Sequence, residues 1–383
     1  MTIETALLAY PMHGQHKLSN EGYRTRDGHL IEWFGNRLDG RGTVTVVSRP
    51  EPAVLLPWRR YPARTVAPNT KPVTIVSRRI PSLRDRQKWW VDSLNAYHRG
   101  NPVIDTPVVT WNPFLSLSSA WQAIVRSRQP VAFDLLDDWT IHHAFEGVRG
   151  DVDRAYRVLF EHASSVTANA EGTVELAQRY GRDDVALLTN GCDPDRFSAL
   201  SAATGAMTVG YVGKIGRRLD LALIVRAACE LPQVRFLFAG PVLDREYAGP
   251  MKACANIEML GDVHYDDVPS LLSTLDIGWV PHRVGTGEVG GDVIKTYEYR
   301  AAGLPVLTTP VTGASSRGLD QVTVLGATDH VAWLAALEAT GPRVPRAIST
   351  LPDDVRWSEK ADFILGKLGL EPPVQRSRHQ QPD

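Results

Sequence analysis

Short runs rich in β-branched and aromatic residues alternate along the chain with segments of helical composition, and this alternation occurs twice. The runs of the first series are Ala6–Tyr10, Thr43–Ser48, Val73–Ser77, Val108–Trp111, Val131–Leu136, Ser164–Ala168 and Val185–Thr189. Segments long enough for helices, such as Leu115–Arg126, separate several of them. The alternation predicts an α/β fold in which a parallel sheet carries helices on both faces.

The second series is more regular. Its predicted strands and helices are Met207–Gly213, Leu219–Leu231, Val234–Gly240, Asp266–Thr274, Ile277–Pro281, Val322–Leu325 and Val331–Ala339. Between the two series, Ser198–Gly205 is small and polar, as linkers are. We therefore predict two Rossmann-like domains, residues 1–200 and 201–357, then an amphipathic helix over 358–370 and a disordered tail over 371–383.

The stretch Gly290–Thr309 predicts a glycine loop, a short helix and a buried strand. Asp292 is a candidate N-cap, because its carboxylate can accept from the first free amides of the helix. Gly303 suits the left-handed position just past the helix, and Pro305 prevents the helix from continuing.

Lys295 lies in the first turn of that predicted helix, where the helix dipole disfavours a cation. A phosphate bound at the glycines and free amides of the same helix end would remove the conflict. Glu298, three residues later, shares a helical face with Lys295 and could accept from ribose hydroxyls. The alternative is that the two side chains form an ordinary surface pair.

A second group of cations follows a predicted strand in Gly210–Asp220. Lys214, Arg217 and Arg218 stand between two glycines and the next predicted helix. Turns that follow parallel strands share one edge of the sheet, where ligands bind. Lys214, Arg218 and Lys295 are therefore expected to surround one diphosphate; alternatively, each cation faces solvent independently.

Composition restricts the class of protein. The 383 residues are 43% hydrophobic and 22% charged, as in soluble globular proteins, and exceed one ordinary core. The net charge of −1 argues against a general nucleic-acid binder. Cys192, Cys229 and Cys254 have no metal-binding spacing, and an odd count gives no disulfide framework. Because neither a membrane span nor a signal peptide is apparent, we expect a cytoplasmic protein.

Several motifs together resemble those of GT-B glycosyltransferases of the group 1 family, in particular the subset that builds surface polysaccharides such as teichuronic acid. The segments that carry the resemblance are Thr189–Phe197 (TNGCDPDRF), 212–218 (VGKIGRR), 295–306 (KTYEYRAAGLPV), Phe133–Trp139 (FDLLDDW) and the helix opened by Trp357. The resemblance implies the GT-B fold, with the last helix returning to the N-terminal domain.

The same resemblance implies a nucleotide-diphosphate sugar on the second domain and an acceptor on the first. The expected donor-binding residues are Gly213, Arg217, His264, Gly291, Asp292, Val293, Thr296 and Glu298. The expected catalytic residues are Lys214, Arg218, Lys295 and Asp138, where the three cations stabilise the leaving diphosphate. The expected acceptor-side residues are Gly14, Asn112, His142 and His143.

Two departures from the family pattern affect the mechanism. Glu298 takes the place of the second acid of the E-x7-E motif, but the first acid falls on Gly290, with Glu288 two residues earlier. The catalytic-region histidine of the family falls near Asn112, so His142 and His143 are the candidates that could face the cleft. Retention at the anomeric carbon is implied by the resemblance alone.

The acidic pair Asp137 and Asp138 suggests a metal site, but two adjacent carboxylates without further ligands seldom hold a divalent cation. The cations described above would neutralise a diphosphate without metal, so no metal and no cofactor is expected besides the nucleotide sugar. Asp138 is interpreted either as a contact to sugar or acceptor hydroxyls or as the N-cap of the following segment.

The segment 58–97 is strongly basic. Its cations are Arg59, Arg60, Arg64, Lys71, Arg78, Arg79, Arg84, Arg86 and Lys88, and Trp89 and Trp90 follow them. Basic residues beside aromatic ones suit the surface of an anionic leaflet. A solvated face with tryptophans in the core is the favoured alternative.

These features predict a glycosyltransferase that moves a sugar from a nucleotide-diphosphate donor to a hydroxyl of a sugar- or lipid-linked acceptor, in the cytoplasm or at the inner face of the membrane. One alternative is a nucleotide-sugar epimerase of the same fold. Another is a catalytically silent subunit that binds nucleotide and supports a partner enzyme. The base, the sugar, the acceptor and the oligomeric state are left open.

Overall fold

The computed structural model describes residues 4–58, 66–82, 84–97, 105–285, 291–348 and 351–370. The predicted tail 371–383, Glu288 and Gly290 lie outside these residues. Two separate parallel sheets form the framework, one of seven strands and one of six. The predicted α/β class is therefore confirmed.

The strands of the first half are β1 (Thr5–Tyr10), β2 (Thr43–Val47), β3 (Glu51–Pro52), β4 (Thr70–Val73), β5 (Val76–Ser77), β6 (Val108–Thr110), β7 (Val131–Leu135), β8 (Ser165–Ala168) and β9 (Ala186–Leu187). The seven-stranded sheet has the order β4-β2-β1-β6-β7-β8-β9, and β3 pairs with β5 in a small sheet of its own. All five residues of β7 are buried, as expected of a strand covered on both faces.

The α-helices of the first half are Gln15–Glu21, Arg26–Arg37, Trp89–Asp92, Ser119–Ser127, Arg149–His162 and Glu171–Arg179. The apolar faces of these helices complete cores on both sides of the sheet, with Leu30 and Phe34 on one side and Trp121 and Leu159 on the other.

The strands of the second half are β10 (Thr208–Val212), β11 (Arg235–Ala239), β12 (Ile257–Gly261), β13 (Ile277–Val280), β14 (Val306–Thr308) and β15 (Val322–Val324), in the order β12-β11-β10-β13-β14-β15. Its helices are Leu221–Glu230, Arg245–Lys252, Val268–Ser273, Ile294–Ala301 and His330–Glu338. The chain leaves β10 toward β11 and leaves β13 toward β14, so the strand order reverses between these two neighbours. Such a reversal opens a crevice at the carboxyl ends of the strands.

The last helix, Trp357–Lys367, packs on the helix Arg26–Arg37 of the first half. Trp357, Ile364 and Leu365 are fully buried and share a core with Phe34. The chain thus crosses from the second sheet back to the first, and both halves contribute to one framework around the crevice.

Local differences from the predicted elements have physical causes. The predicted strand Val73–Ser77 is divided between β4 and β5, which belong to different sheets. The predicted helix Asp266–Thr274 is a 3-10 turn at Tyr265–Asp267 followed by the helix Val268–Ser273, because Pro269 is accommodated only in the first turn of a helix. Within the described residues, no helix has the length and apolar content that crossing a bilayer requires.

Candidate active site

Lys295 lies against the loop that follows β10. Its ammonium is 5.0 Å from the centre of the Tyr211 ring, and a Cβ on Gly213 would lie 3.3 Å from Nζ. Gly213 has φ +150°, and the carbonyl of Gly213 approaches Gly240 so closely that only glycine fits there. Gly213 and Gly240 therefore allow the loop after β10 to lie close to the Lys295 side chain.

The three predicted catalytic cations lie together. Burial, followed by the charges of Arg218 and Lys214, lowers the pKa of Lys295 to about 8, and the charge of Glu298 opposes this shift. Lys214 and Arg218 are exposed at the surface of the crevice, whereas Lys295 is half-buried. Like charges so close together are costly unless an anion binds among them. The predicted convergence of Lys214, Arg218 and Lys295 is therefore present in the structure.

Asp137 reaches this cluster from the first sheet. Its Oδ2 is 3.5 Å from Arg218 Nη2, and burial raises the pKa of Asp137 while Arg218 and Lys214 oppose that effect. A Cβ on Gly291 would lie 2.4 Å from Asp137 Oδ1, so the glycine before the helix lets the two halves approach. Gly291 was among the predicted donor-binding residues, whereas Asp137 was not among the predicted site residues.

Asp138, predicted as catalytic, is buried and points the other way. Its Oδ1 accepts from the backbone amide of Thr140 at 2.8 Å and from the Thr140 hydroxyl, and its Oδ2 pairs with Arg179. The carboxylate thus closes the turn after β7 and fixes the helix Glu171–Arg179. These contacts fit the alternative interpretation of Asp138 as a cap of the local turn, and its catalytic role stays a prediction.

Arg217 is also directed away from the cluster. Its Nε is 3.7 Å from Asp244 and 3.6 Å from Glu246, and its backbone amide donates to Asp244. The Arg217 guanidinium is thus paired with two carboxylates of the second half, and its donor contact stays a prediction.

The predicted N-cap role of Asp292 is wrong as well. The helix begins at Ile294 with Val293 in the cap position and without a side-chain cap bond. The Asp292 carboxylate instead accepts from the backbone amide of Asn190 at 2.9 Å, from the Tyr297 hydroxyl at 2.7 Å and from the Arg317 guanidinium. Arg317 also pairs with Glu171 of the first half. Asp292 therefore connects the two halves at the edge of the crevice.

Glu298 lies one helical turn below Lys295 and is almost completely buried. Burial raises its pKa to about 7, and the Tyr265 hydroxyl and the Lys295 charge oppose that rise. Thr296 is buried beside it on the same helix. Gly303 has φ +72° and ends this helix as predicted. Lys295 and Glu298 therefore influence each other's charge from one face of the helix, as their spacing predicted.

His264 is buried where the two halves meet. Its Nε2 is 3.0 Å from the Ser19 carbonyl, and its Nδ1 accepts from the Asp266 amide. Both ring nitrogens are engaged in these contacts, and the contact of His264 with the donor base stays a prediction.

The predicted acceptor-side residues have different environments. Asn112 is buried and caps the 3-10 turn Pro113–Leu117, and its amide donates to Tyr97, so the predicted acceptor role of Asn112 is corrected. His142 stacks on exposed His143 with ring centres 4.6 Å apart. Burial lowers the pKa of His142 to about 4, and the charges of His143, Arg218 and Lys214 contribute, so His142 lies near the cations.

His282, which follows β13, was not selected from the sequence. It is 4% exposed, its Nε2 finds no hydrogen-bond partner among the described residues, and its ring is 6.0 Å from that of Tyr211. Burial lowers its pKa well below the ordinary value, and Lys295 and Arg218 lower it further. Its position after a strand of the second sheet is the signal that could have identified it.

One group of potential metal ligands is present in the described residues. His29, Glu32 and Asp193 offer donor atoms within 4.8 Å of one another. Arg196 already pairs with Glu32 at 2.6 Å and with Asp193 at 3.3 Å, and Trp33 donates to Asp193. These contacts compensate both carboxylates, and we interpret the group as part of the contact between the halves.

Comparisons with known proteins agree with this geometry. Residues 206–340 match the family model described as "Glycosyl transferases group 1". The chain is 24% identical over 246 residues to TuaH of Bacillus subtilis (strain 168), named as a teichuronic acid biosynthesis glycosyltransferase. The matched region covers 59% of this chain and 60% of TuaH.

Two solved structures share the fold over almost the whole chain. HepE of Anabaena, in complex with UDP and glucose, is 15% identical with a TM-score of 0.59, covering 95% of this chain and 97% of HepE. The UDP-forming trehalose-phosphate synthase of Burkholderia vietnamiensis is 14% identical with a TM-score of 0.61, covering 96% of each chain. The chain therefore has the GT-B fold, and its residues 206–340 match the model of the group 1 glycosyltransferases.

Proposed function

We propose that the protein transfers a sugar from a nucleotide-diphosphate donor to a hydroxyl acceptor in the synthesis of a surface polysaccharide or glycoconjugate. The observation that carries this proposal is the convergence of Lys214, Arg218 and Lys295 at the crevice of the second sheet. The names of TuaH and HepE support a sugar-nucleotide donor, since one is a polysaccharide glycosyltransferase and the other binds UDP and glucose.

The reaction breaks the bond between the anomeric carbon and a diphosphate oxygen, so negative charge develops on the diphosphate as the sugar leaves. Donors placed in advance where that charge develops lower the barrier, and such electrostatic stabilisation is commonly the largest catalytic contribution. Lys214, Arg218 and Lys295 have that role in the proposal. Glu298 would bind the ribose, in its ionised form, from the turn below.

We further propose that the transfer needs no metal, because three cations can neutralise the charge that a divalent ion would otherwise carry. The resemblance to the group 1 family favours retention at the anomeric carbon. Adding EDTA should leave the transfer rate unchanged, whereas a rate restored only by Mg²⁺ or Mn²⁺ would contradict the metal-free proposal.

The proposed donor site is tested by isothermal calorimetry with nucleoside diphosphates of each common base. Lys295→Ala and Lys214→Ala should each weaken diphosphate binding about tenfold, as the loss of one charge-assisted contact predicts. Arg217→Ala is the matched control, since Asp244 and Glu246 hold that guanidinium away. Equal affinities in all three variants and the wild type would contradict the site.

The reaction itself is tested with radiolabelled donors, with and without candidate acceptors. Transfer to an acceptor is the expected result. An epimerised sugar nucleotide formed without acceptor would indicate an epimerase instead. Tight donor binding with neither transfer nor hydrolysis would indicate a silent subunit.

We also propose that the exposed part of the basic segment contacts an anionic membrane surface. Trp89 and Trp90, considered as anchors, belong to the core: Trp89 donates to the Pro50 carbonyl, and Trp90 packs on Phe114. Among the described residues of the segment, Ile80 is an exposed apolar side chain, 82% accessible. Exposed cations surround it along the chain, namely Arg78, Arg79, Arg84, Arg86 and Lys88.

Co-sedimentation with vesicles tests this surface. Binding to phosphatidylcholine vesicles should rise when one third of the lipid is phosphatidylglycerol and should fall in high salt. Basic residues near such a surface contribute about 1 kcal/mol each, so Arg78→Gln should weaken binding about fivefold. Ile80→Asp should also weaken it, whereas Ile348→Asp, at an exposed position of the second half, should not. Equal binding to both vesicles would refute the proposal.

A further inference from the structure

His282 lies where the strand order of the second sheet reverses, between the turns that follow β10 and β13. It is two residues past the end of β13, and its backbone forms an antiparallel bridge with Leu219 of the turn after β10. The Arg283 amide donates to the Arg218 carbonyl at 2.8 Å. The Thr309 hydroxyl, just after β14, donates to the His282 carbonyl at 2.8 Å. Contacts from three strand ends therefore fix His282 at the crevice, beside a predicted leaving-group cation.

The side chain of His282 belongs to the same cluster as the cations. Its ring is 6.0 Å from that of Tyr211, and the Lys295 ammonium is 5.0 Å from the centre of the same Tyr211 ring. Burial first, and then the charges of Lys295 and Arg218, hold the pKa of His282 well below its ordinary value. The imidazole is therefore neutral and adds no further positive charge to the cluster.

One ring nitrogen of His282 is buried without a partner. The residue is 4% exposed, and its Nε2 finds no hydrogen-bond partner among the described residues. His330, another buried histidine of the second half, has both nitrogens engaged: Nδ1 accepts from the Trp279 indole at 2.9 Å, and Nε2 contacts the Leu325 carbonyl at 3.1 Å. Because an unpaired buried polar atom costs free energy, the contrast points to a partner of His282 from outside the chain.

We propose that His282 is a further donor-binding residue, whose Nε2–H donates to an oxygen of the donor diphosphate. The inference rests on the glycosyltransferase function proposed above. The neighbouring cations already compensate the charge of the diphosphate, so the neutral imidazole supplies direction: it fixes one phosphate oxygen between Lys295 and Arg218. A neutral imidazole has one N–H that can take this role.

The proposed hydrogen bond also acts during the transfer. The bond from the anomeric carbon to the diphosphate oxygen breaks, the diphosphate keeps the electron pair, and His282 neither gives nor takes a proton. The hydrogen bond strengthens as negative charge grows on the diphosphate, which is the condition for lowering the barrier. Loss of the N–H should therefore lower kcat as well as donor affinity.

Two substitutions separate the hydrogen bond from packing. His282→Leu removes the N–H at a similar side-chain volume, whereas His282→Gln keeps an amide N–H near the position of Nε2. The probe is the nucleoside diphosphate that the wild type prefers in calorimetry. Its affinity should fall about tenfold to a hundredfold in His282→Leu, since a hydrogen bond to a charged group is lost. His282→Gln should bind it more tightly than His282→Leu does.

The nucleoside without phosphates tests which part of the donor His282 contacts. Its affinity, measured by NMR titration, should stay within about twofold of the wild type in both variants, because the proposed contact is to a phosphate oxygen. A loss of nucleoside affinity equal to the loss of diphosphate affinity would overturn the proposal, since His282 would then act at the base or the ribose, or on the shape of the whole site.

The melting temperature separates a binding residue from a structural one. His282→Leu should leave the melting temperature of the free protein unchanged or raise it, because an unpaired buried nitrogen is removed. His330→Leu is the matched control: it breaks the contacts with Trp279 and Leu325, so it should lower the melting temperature and leave diphosphate affinity unchanged. A melting temperature that falls as far in His282→Leu as in His330→Leu would contradict the proposal.

Failure of this inference is distinguishable from failure of the proposed function. A wild type that binds no nucleoside diphosphate and releases no sugar from any donor would refute both. A wild type that binds the diphosphate, weakens in Lys295→Ala and keeps its affinity in His282→Leu would refute the role of His282 alone.

Discussion

Binding of the donor should be accompanied by uptake of a proton at Lys295. In the free protein, burial and two neighbouring cations lower the pKa of Lys295 from 10.5 to about 8. A diphosphate bound between Lys295 and Arg218 would stabilise the ammonium and raise this pKa again. Because the pKa rises on binding, the complex holds more protons than the free protein at any pH near or above 8.

The size of the effect follows from the two protonation states. At pH 8.5 about a quarter of the Lys295 side chains are protonated in the free protein, and nearly all would be in the complex. From these fractions alone, the uptake would be about three-quarters of a proton per donor. Because Lys295 is only half-buried, solvent screens part of the effect, and we expect an uptake closer to about half a proton. At pH 6.5 Lys295 is already protonated and contributes almost nothing.

Calorimetry of donor binding in two buffers of different ionisation enthalpy measures this uptake directly. At pH 8.5 the terminal phosphate, with a second pKa near 6, is fully ionised, and Glu298, with a pKa of about 7, is largely ionised. Lys17 is the main competitor, because its pKa is also lowered to about 8, first by burial. Lys295→Met should abolish the uptake, whereas Lys17→Met should keep it.

Two results would refute the reasoning. Binding of the donor at pH 8.5 without any change in bound protons would mean that the diphosphate does not reach Lys295. Uptake that persists in Lys295→Met and disappears in Lys17→Met would place the diphosphate beside Lys17 of the first half. Affinity should also decrease as the pH rises above 8, since the free protein must then acquire the proton first.

Three further predictions concern the same framework. The pKa of Glu298 is about 7 in the folded protein, above its unfolded value of about 4.5. The wild type should therefore lose stability as the pH rises from 4.5 through 7, whereas Glu298→Gln should not. Urea unfolding across this pH range measures the free energy of unfolding of both proteins. Asp138→Asn should lower the melting temperature by a few degrees without changing donor affinity. Asp137→Asn should lower the transfer rate with little effect on the melting temperature. Thermal shift and rate assays on both variants measure these two quantities. Gly240→Ala would place a Cβ 1.9 Å from the Gly213 carbonyl oxygen and should abolish donor binding in calorimetry.

The parts of the site that the sequence predicted are those set by local structure and one rule of topology. The helix Ile294–Ala301 ends at Gly303 because a left-handed residue is needed there, and composition alone indicates this. Lys214 and Lys295 were predicted to lie close together because the turns after parallel strands share one edge of the sheet. Both inferences concern the second half alone and do not depend on how the two halves are arranged.

Side-chain direction within a turn was not predictable in this way. Asp137 and Asp138 are adjacent and chemically identical, but Arg218 of the second half attracts one and Arg179 of a neighbouring helix pairs with the other. Those partners are 81 and 41 residues away in sequence, respectively. No local pattern distinguishes the two carboxylates, so long-range contacts decide which of them lies beside Arg218.

The rule that predicted the cations also applies to the first sheet, where it was not used to its full extent. β1 and β2 are neighbours in that sheet, His16 follows β1, and Glu51 follows β2. Polar residues after adjacent parallel strands meet at the carboxyl edge, so the pair is expected from the strand order alone. The leaving-group cations and the pair of His16 and Glu51 are therefore placed by the same rule. Each is placed by the edge of its own sheet, and the two edges face each other across the crevice.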